Sequence, residues 1–261
     1  MKYFLCAALF ASGSCFLSMH ARRQTYQAST SLAFDVASIR PSKTTTAGVS
    51  ISHDPRTGRF IGRNITLKVL IGAAFQVFDF QIRGGPGWID SERYEVNATA
   101  SYPTSADQNL RMVQAMLRDR FKLVFHAEDK EVSGLGLVVA KGGPKVRKAS
   151  DDEIYRFQFR LPAGPLTARK APISSLVTFL SRRLGRPIED DTKLSDLYDF
   201  TLKWTPDESE LDPEGMSVRV ARDPFGPSLV TALQDQLGLR VEARKMSVHL
   251  FVVDTAERPA N

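Results

Sequence analysis

The sequence is poor in cysteine, and both of its cysteines stand near the start of the chain. Among 261 residues only two are cysteines, Cys6 and Cys15. A chain that has lost this first segment contains no thiol, which excludes disulfides and zinc sites built on thiolates. The remaining chain must therefore be stabilised by packing alone.

Charge is also scarce in the first 21 residues, where Lys2 is followed by no charged residue until Arg22. A basic start followed by an apolar run is typical of a secretory signal peptide. We therefore predict a signal peptide over residues 1–21 and a mature protein exported to the periplasm or the extracellular space. Lipidation at Cys15 is the alternative, and we expect peripheral membrane association only in that case.

No strong excess of either charge is present. The chain contains 35 Lys and Arg residues against 29 Asp and Glu residues, and the basic residues are spread along its length. Such a modest excess favours solubility over nucleic-acid binding. We therefore expect no nucleic-acid partner.

Histidine is rare, and no motif of a known catalytic class is present. Three of the four histidines follow the predicted signal peptide: His53, His126 and His249. None has a second histidine or a carboxylate at the spacing of metal ligands, and there is no G-x-S-x-G motif. We predict no catalytic residue, no metal site, no cofactor and a non-enzymatic function. The alternative is a hydrolase or a small-ligand sensor whose site gathers scattered Asp, Arg and His residues.

What the chain does contain is a repeated pattern. Apolar residues from Leu67 to Phe78 follow one face of a helix, and the same spacing returns 106 residues later, from Ile173 to Leu184. The segment LRDRFKLVF from Leu117 aligns likewise with LQDQLGLRV, 116 residues later, from Leu233. Two matching pairs in the same order predict a tandem duplication.

The predicted halves span about residues 34–146 and 155–257, with a long loop over residues 205–227 that lacks periodicity. Each half is predicted to consist of strand-helix-strand-strand modules. Alternating apolar residues from Tyr198 to Trp204 indicate a strand with one buried face. The fold class predicted is α+β, with the helices packed on a mixed or antiparallel sheet.

Two Gly-Gly-Pro triplets begin at Gly84 and Gly142. A phosphate-binding glycine loop opens a helix, whereas the first triplet is expected to lead into a strand and the second to end one. We predict that both are turns. Trp88 follows the first triplet and is interpreted as a core anchor, with an exposed contact as the alternative. Arg83 and Trp88 are the residues predicted to contact a ligand or partner.

Gly185 and Gly238 stand just past the last apolar residue of a predicted helix. A left-handed residue is commonly needed at this place, and glycine adopts that conformation without strain. We therefore predict that both glycines are helix C-caps.

Several segments, in order along almost the whole mature chain, resemble an uncharacterised bacterial protein family associated with soil organisms: FDVASIRPS, GRFIGRNITLKVLI, QIRGGPGW, MLRDRFKLVFHAEDKEV, LYDFTLKWTPD and PSLVTALQDQLGLRVE. This family is a domain of unknown function, so the resemblance implies a bacterial source but no activity, cofactor or catalytic residue. The repeat is also similar to small modules at the N-termini of secretins and outer-membrane transporters, which implies a periplasmic interaction role. We expect an envelope protein that binds another envelope protein or a cell-wall ligand through sheet edges or the groove between its halves.

Overall fold

The computed structural model of the chain describes residues 32–43, 48–159, 165–205 and 226–260. The predicted signal peptide and most of the predicted loop over residues 205–227 lie outside these ranges. Within them, no helix combines the length and the apolar character that crossing a membrane requires.

Twelve strands and five helices form along the described residues. The strands are β1 Val36–Pro41, β2 Ser50–Asp54, β3 Arg59–Thr66, β4 Ile82–Gly84, β5 Arg93–Thr99, β6 Val124–Val139, β7 Arg147–Lys148, β8 Arg156–Phe159, β9 Leu166–Pro172, β10 Ile188–Asp190, β11 Leu197–Leu202 and β12 Leu239–Thr255. The helices are α1 Leu67–Phe75, α2 Trp88–Ser91, α3 Ala106–Arg120, α4 Ile173–Leu184 and α5 Leu229–Ala232, and α5 continues into a π-helical turn, Leu233–Leu237.

The strands form three four-stranded sheets. The first sheet has the order β1-β5-β3-β2 and the third the order β7-β11-β9-β8, and all their pairings are antiparallel. The central sheet has the order β10-β6-β12-β4, in which β6 and β12 are antiparallel and the two short outer strands are parallel to their neighbours. Mixed and antiparallel sheets with packed helices confirm the predicted α+β class.

The helix ends follow the capping residues of the sequence. Ser228 accepts a hydrogen bond from the backbone N–H of Thr231 at the start of α5, which is the usual role of a serine N-cap. Gly185 and Gly238 have φ values of +62° and +64° and end their helices in the left-handed conformation, which confirms both as C-caps.

The predicted end of the first helix at Phe78 is wrong, because α1 ends at Phe75. Gln76 follows in the left-handed conformation with φ +55°, and the N–H of Val77 donates to the carbonyl of Gly72. This early cap turns the chain toward β4. Phe78 then precedes a 3-10 turn, Asp79–Gln81, and lies outside the helical face on which its spacing had placed it.

The two halves of the chain have the same order of main elements: three strands, a helix, two strands, a helix and a long strand. In the central sheet Ile82 of β4 pairs with Phe251, and Ile188 of β10 pairs with Leu135. Ile188 lies 106 residues after Ile82, and Phe251 lies 116 residues after Leu135. These are the two offsets read from the sequence. A duplication would leave such a correspondence, and common descent itself stays a prediction.

The second half begins earlier in the structure than the predicted start at residue 155. The two residues of β7, Arg147 and Lys148, pair with Asp199 and Tyr198 of β11, so they belong to the third sheet. Each half also holds more strands than the strand-helix-strand-strand modules provide. The additional strands include β2 and β8, which pair with β3 and β9. The sequence did not indicate them because their patterns are weak.

Both long strands run through two hydrophobic cores. The first core contains α1, α3 and the first sheet together with Phe251 and Val253 near the end of β12. The second core contains α4, α5 and the third sheet together with Leu137 near the end of β6. Each long strand therefore starts in the core of its own half and ends in the core of the other half. The residues that the repeat aligns are all buried in these cores: Leu70, Leu176, Tyr94, Tyr198, Leu117, Leu233, Phe121 and Leu237.

Candidate functional site

The first Gly-Gly-Pro triplet forms a tight turn at the end of β4, as predicted. Gly84 and Gly85 have φ values of +70° and +76°, which favour glycine. A Cβ atom on Gly84 would lie 2.7 Å from the carbonyl oxygen of Val253, so the turn also needs glycine for its approach to β12. The triplet does not lead into a strand as expected. It opens the single-turn helix α2, and β5 begins only at Arg93.

Trp88 is the first residue of α2 and is half-buried against the first core. Its ring is stacked on Phe121 with 6.4 Å between the ring centroids. The guanidinium of Arg258 lies over the indole, 5.3 Å from the ring centroid, at a distance typical of a cation–π contact. These contacts agree with the interpretation of Trp88 as a core anchor.

Arg258 also ties the C-terminal segment to the start of β5. Its Nε and Nη2 atoms donate to the carboxylate of Glu92 at 3.0 and 2.6 Å, and the hydroxyl of Tyr94 donates to the same carboxylate at 3.0 Å. The hydrogen bond from Arg258 lowers the pKa of Glu92, whereas burial and then the bond to Glu92 raise the pKa of Tyr94 to about 12. Both groups keep their ordinary charge at neutral pH, so this cluster has a structural role.

Arg83 lies on β4, an outer strand of the central sheet, with its Cα opposite that of Val252. Its side chain is exposed and makes no hydrogen bond or ion pair within the described ranges. Of the two predicted contact residues, Arg83 is thus accessible at a sheet edge and Trp88 is largely occupied by its packing. Contact of either residue with a ligand or partner stays a prediction.

Each described histidine has a polar partner that the sequence spacing did not indicate. His53 Nε2 lies 2.8 Å from the hydroxyl of Thr104. In the central sheet, His126 Nδ1 lies 2.8 Å from Asp254, and His249 Nδ1 lies 2.8 Å from Asp129.

The two aspartates are more than a hundred residues away in sequence, and pairing of β6 with β12 brings them close to the histidines. The side chains of both His–Asp pairs are exposed to solvent. Within the described ranges no three ligating side chains come together as a metal site.

In each outer sheet one carboxylate stabilises a bulge, and the two carboxylates occupy corresponding places. This feature was not predicted from the sequence. Asn64 on β3 and Lys170 on β9 have φ values of +52° and +47°. The N–H of Asn64 donates to Glu95 Oε1 at 3.0 Å, and the N–H of Lys170 donates to Asp199 Oδ1 at 2.8 Å. A signal was present in the sequence, because RYEV from Arg93 and LYDF from Leu197 resemble each other, and both carry an acid at their third position.

Asp199 is the more enclosed of the two acids, with 3% of its side chain exposed. It forms ion pairs with Arg147 and with Arg169, the latter at 3.3 Å. Burial raises its pKa, but the N–H of Lys170 and the two guanidinium groups outweigh burial, so the pKa lies below its usual value. A carboxylate that two cations hold in its charged form stays ionised at neutral pH, which suits a structural ion pair better than proton transfer.

The central ribbon, which we define as β6 paired with β12, has long open edges. β10 pairs with β6 only at residues 135–137, and β4 pairs with β12 only at residues 251–253. Residues 126–133 of β6 and 242–248 of β12 thus have no strand on their outer side within the described ranges. Such edges carry backbone N–H and C=O groups that another strand can pair with.

Between the two cores, one face of the ribbon is polar and exposed. Directly opposite residues of the two strands lie on the same face of the ribbon. The face that carries Phe251 and Leu239 is covered by the first core at Phe251 and by the second core at Leu239. Between these ends lie seven exposed residues: Asp129, Glu131, Ser133, Ala243, Lys245, Ser247 and His249. The ribbon therefore presents a polar, exposed face between the two cores.

A protein-family model described as "Protein of unknown function (DUF3738)" matches residues 68–256. The chain belongs to this family. The matched range runs from α1 to the end of β12 and so includes both cores and the whole ribbon. No curated protein and no solved structure matches the chain. Membership of DUF3738 confirms the predicted domain of unknown function and brings no activity with it. The association with soil and the likeness to secretin modules stay predictions.

Proposed function

We propose that the protein is an exported, non-enzymatic binding protein of the bacterial cell envelope that holds an extended segment of a partner protein along the central ribbon. The observation that carries this proposal is the pair of open edges on strands of 16 and 17 residues. An extended peptide adds to such an edge through main-chain hydrogen bonds, and its side chains are selected by the neighbouring surface.

The charge pattern of the ribbon supports a selective edge. Residues 128–131 read EDKE, and Arg244 and Lys245 lie on the facing strand. Charged residues of this kind discourage indiscriminate pairing between copies of an edge strand. A partner strand must then carry complementary charges, which gives the interaction specificity.

Export is supported by the sequence of residues 1–21 alone, and the test is direct. Cell fractionation followed by N-terminal sequencing of the isolated protein should find a chain that lacks this segment outside the cytoplasm. An intact Met1 on cytoplasmic protein would contradict the proposal.

The binding surface can be tested with single cysteines, because the chain beyond Cys15 contains none. Ser133→Cys and Ser247→Cys place a thiol at exposed positions on opposite strands of the ribbon. After labelling with a benzophenone maleimide, illumination in envelope extract should link both variants to the same protein, identified by mass spectrometry.

The matched control is Ser150→Cys, which is exposed but lies beyond the ribbon, after β7. It should give no such product, and excess unlabelled protein should suppress the product of the ribbon variants. Equal labelling from all three positions would mean that the ribbon is not the binding surface. An absence of any product from the ribbon positions would count against a partner protein.

A further inference from the structure

The second Gly-Gly-Pro triplet lies in the connector that joins the two halves. This connector, residues 140–146, follows β6 and crosses the end of the π-helical turn 233–237. Three backbone hydrogen bonds hold it: Ala140 N–H to Gly238 O at 2.8 Å, Gly143 N–H to Ala140 O at 2.9 Å and Lys145 N–H to Leu237 O at 2.8 Å. The connector is thus fixed against the second core.

Connector and helix end together line a cleft of about 430 Å³, a size in the range of small-molecule sites. Glycines form part of its wall at positions 142, 143 and 238, and charged side chains complete it: Lys141, Lys145, Arg240 and Asp235. Three cations against one anion give the lining an excess of two positive charges.

Two of the cations are in a position to bind an anion. Lys141 is exposed and makes no ion pair within the described ranges. Arg240 pairs through Nη1 with Glu242, and 42% of its side chain is exposed.

The third cation, Lys145, offsets the partial negative charge at the end of the helix. The C-terminal end of a helix carries partial negative charge, which repels anions. Here Lys145 Nζ donates to the carbonyl of Asp235 at 2.7 Å and so neutralises part of that charge. Lys141 and Arg240 remain for a ligand.

At the equivalent place in the first half, the segment after β12 crosses the end of α3, where the N–H of Glu257 donates to the carbonyl of Phe121 at 2.7 Å. Lys122 occupies the position that aligns with Gly238, and it also has a positive φ, +46°. A Cβ atom on Gly238 would collide with the carbonyl oxygen of Gly143 in the connector. Glycine at position 238 thus leaves room for the connector to pass close to the helix end.

We propose that this cleft binds a small oxyanion, the phosphate or carboxylate group of a small molecule, through Lys141 and Arg240. The site is separate from the open edges of the ribbon and does not depend on the function proposed for them. Guanidinium and ammonium groups form their strongest hydrogen bonds with these oxyanions.

Titration calorimetry of the chain without residues 1–21 tests the proposal. Pyrophosphate and citrate are used as separate probes, so that the experiment distinguishes a phosphate ligand from a carboxylate ligand. Binding of either probe above that of chloride at equal ionic strength is the expected result. Arg240→Gln and Lys141→Gln should each weaken it about tenfold. Gly142→Tyr should weaken it, because Gly142 forms part of the cleft wall and a Cβ atom there meets nothing within 4 Å, so that a ring can be added without a clash.

Lys122→Gln is the matched control, since it removes the same charge from the aligned helix end of the first half. Circular dichroism should show that all four variants are folded. Binding no stronger than that of chloride would overturn the proposal, as would an equal loss of affinity in Lys122→Gln, which would indicate general charge attraction.

Discussion

At the scale of the residue, Asp199 links the stability of the third sheet to pH. Its pKa in the folded chain is lowered from 3.8, the value expected in the unfolded chain. The carboxylate therefore contributes stability that is fully present above about pH 4 and is lost as the pH falls through the folded pKa.

Replacing Asp199 with Asn keeps an acceptor for Lys170 but removes the charge that pairs with Arg147 and Arg169. The free energy of unfolding should fall by about 1.5–3 kcal/mol at pH 7, the range for hydrogen bonds to charged groups. The difference between wild type and variant should shrink below about pH 4. Urea unfolding at several pH values measures both.

Glu95→Gln is the control for this prediction, because Glu95 fills the same place in the first sheet without an ion pair to two arginines. Its effect at pH 7 should be the smaller one. Equal effects of the two changes would show that the arginines contribute little to the bulge.

Gly238 and Lys122 make a second comparison between aligned residues. Gly238→Ala should destabilise the chain by at least about 1–2 kcal/mol, because alanine is strained at positive φ and its Cβ atom would collide with Gly143. Lys122→Gly should instead stabilise it by about 0.5–1 kcal/mol, since glycine relieves the same strain. Thermal melts of both variants measure these opposite shifts. A loss of stability in Lys122→Gly would mean that its left-handed conformation carries no strain.

At the scale of the element, the aligned helices α1 and α4 begin differently. The side chain of Thr66 accepts a hydrogen bond from the N–H of Val69, whereas Pro172 precedes α4 without a side-chain cap. The sequence predicted both helices from their apolar spacing, and it predicted the start of each within a residue. It missed the end of α1, because spacing alone does not report the left-handed conformation of Gln76.

Thr66→Ala should lower the free energy of unfolding by about 1 kcal/mol, the usual contribution of an N-cap side chain. Pro172→Ala at the aligned position removes no cap and should change stability less. Chemical denaturation of the two variants tests the difference. If both changes have the same effect, the hydrogen bond from Val69 does not determine where α1 begins.

At the scale of the whole molecule, the two halves share the central sheet. Phe251 and Val253 belong to the first core although they come from the end of the chain. Leu137 and Leu135 lie at the second core although they precede its own strands. Neither core is complete within one half of the sequence, so the described unit should unfold in a single transition.

Cleavage of the connector should leave the halves associated. A protease site inserted between Gly142 and Gly143 lies in an exposed turn, away from the 16-residue pairing of β6 with β12. The two fragments should elute together in size-exclusion chromatography and separate only in denaturant. Separation under native conditions would mean that the covalent connection, rather than the shared sheet, holds the halves together.

The sequence by itself determined the four main helices, the α+β class, both glycine turns and the two offsets between matching segments. These features are local, because apolar period, capping residues and glycine conformations act over a few neighbouring residues. Only the tertiary structure decided that β6 and β12 cross between the cores, that histidines meet aspartates from the facing strand, and that the connector encloses a basic cleft. Each of these depends on pairing between residues about a hundred positions apart, and the period of a strand reports which face is buried but not which strand lies beside it.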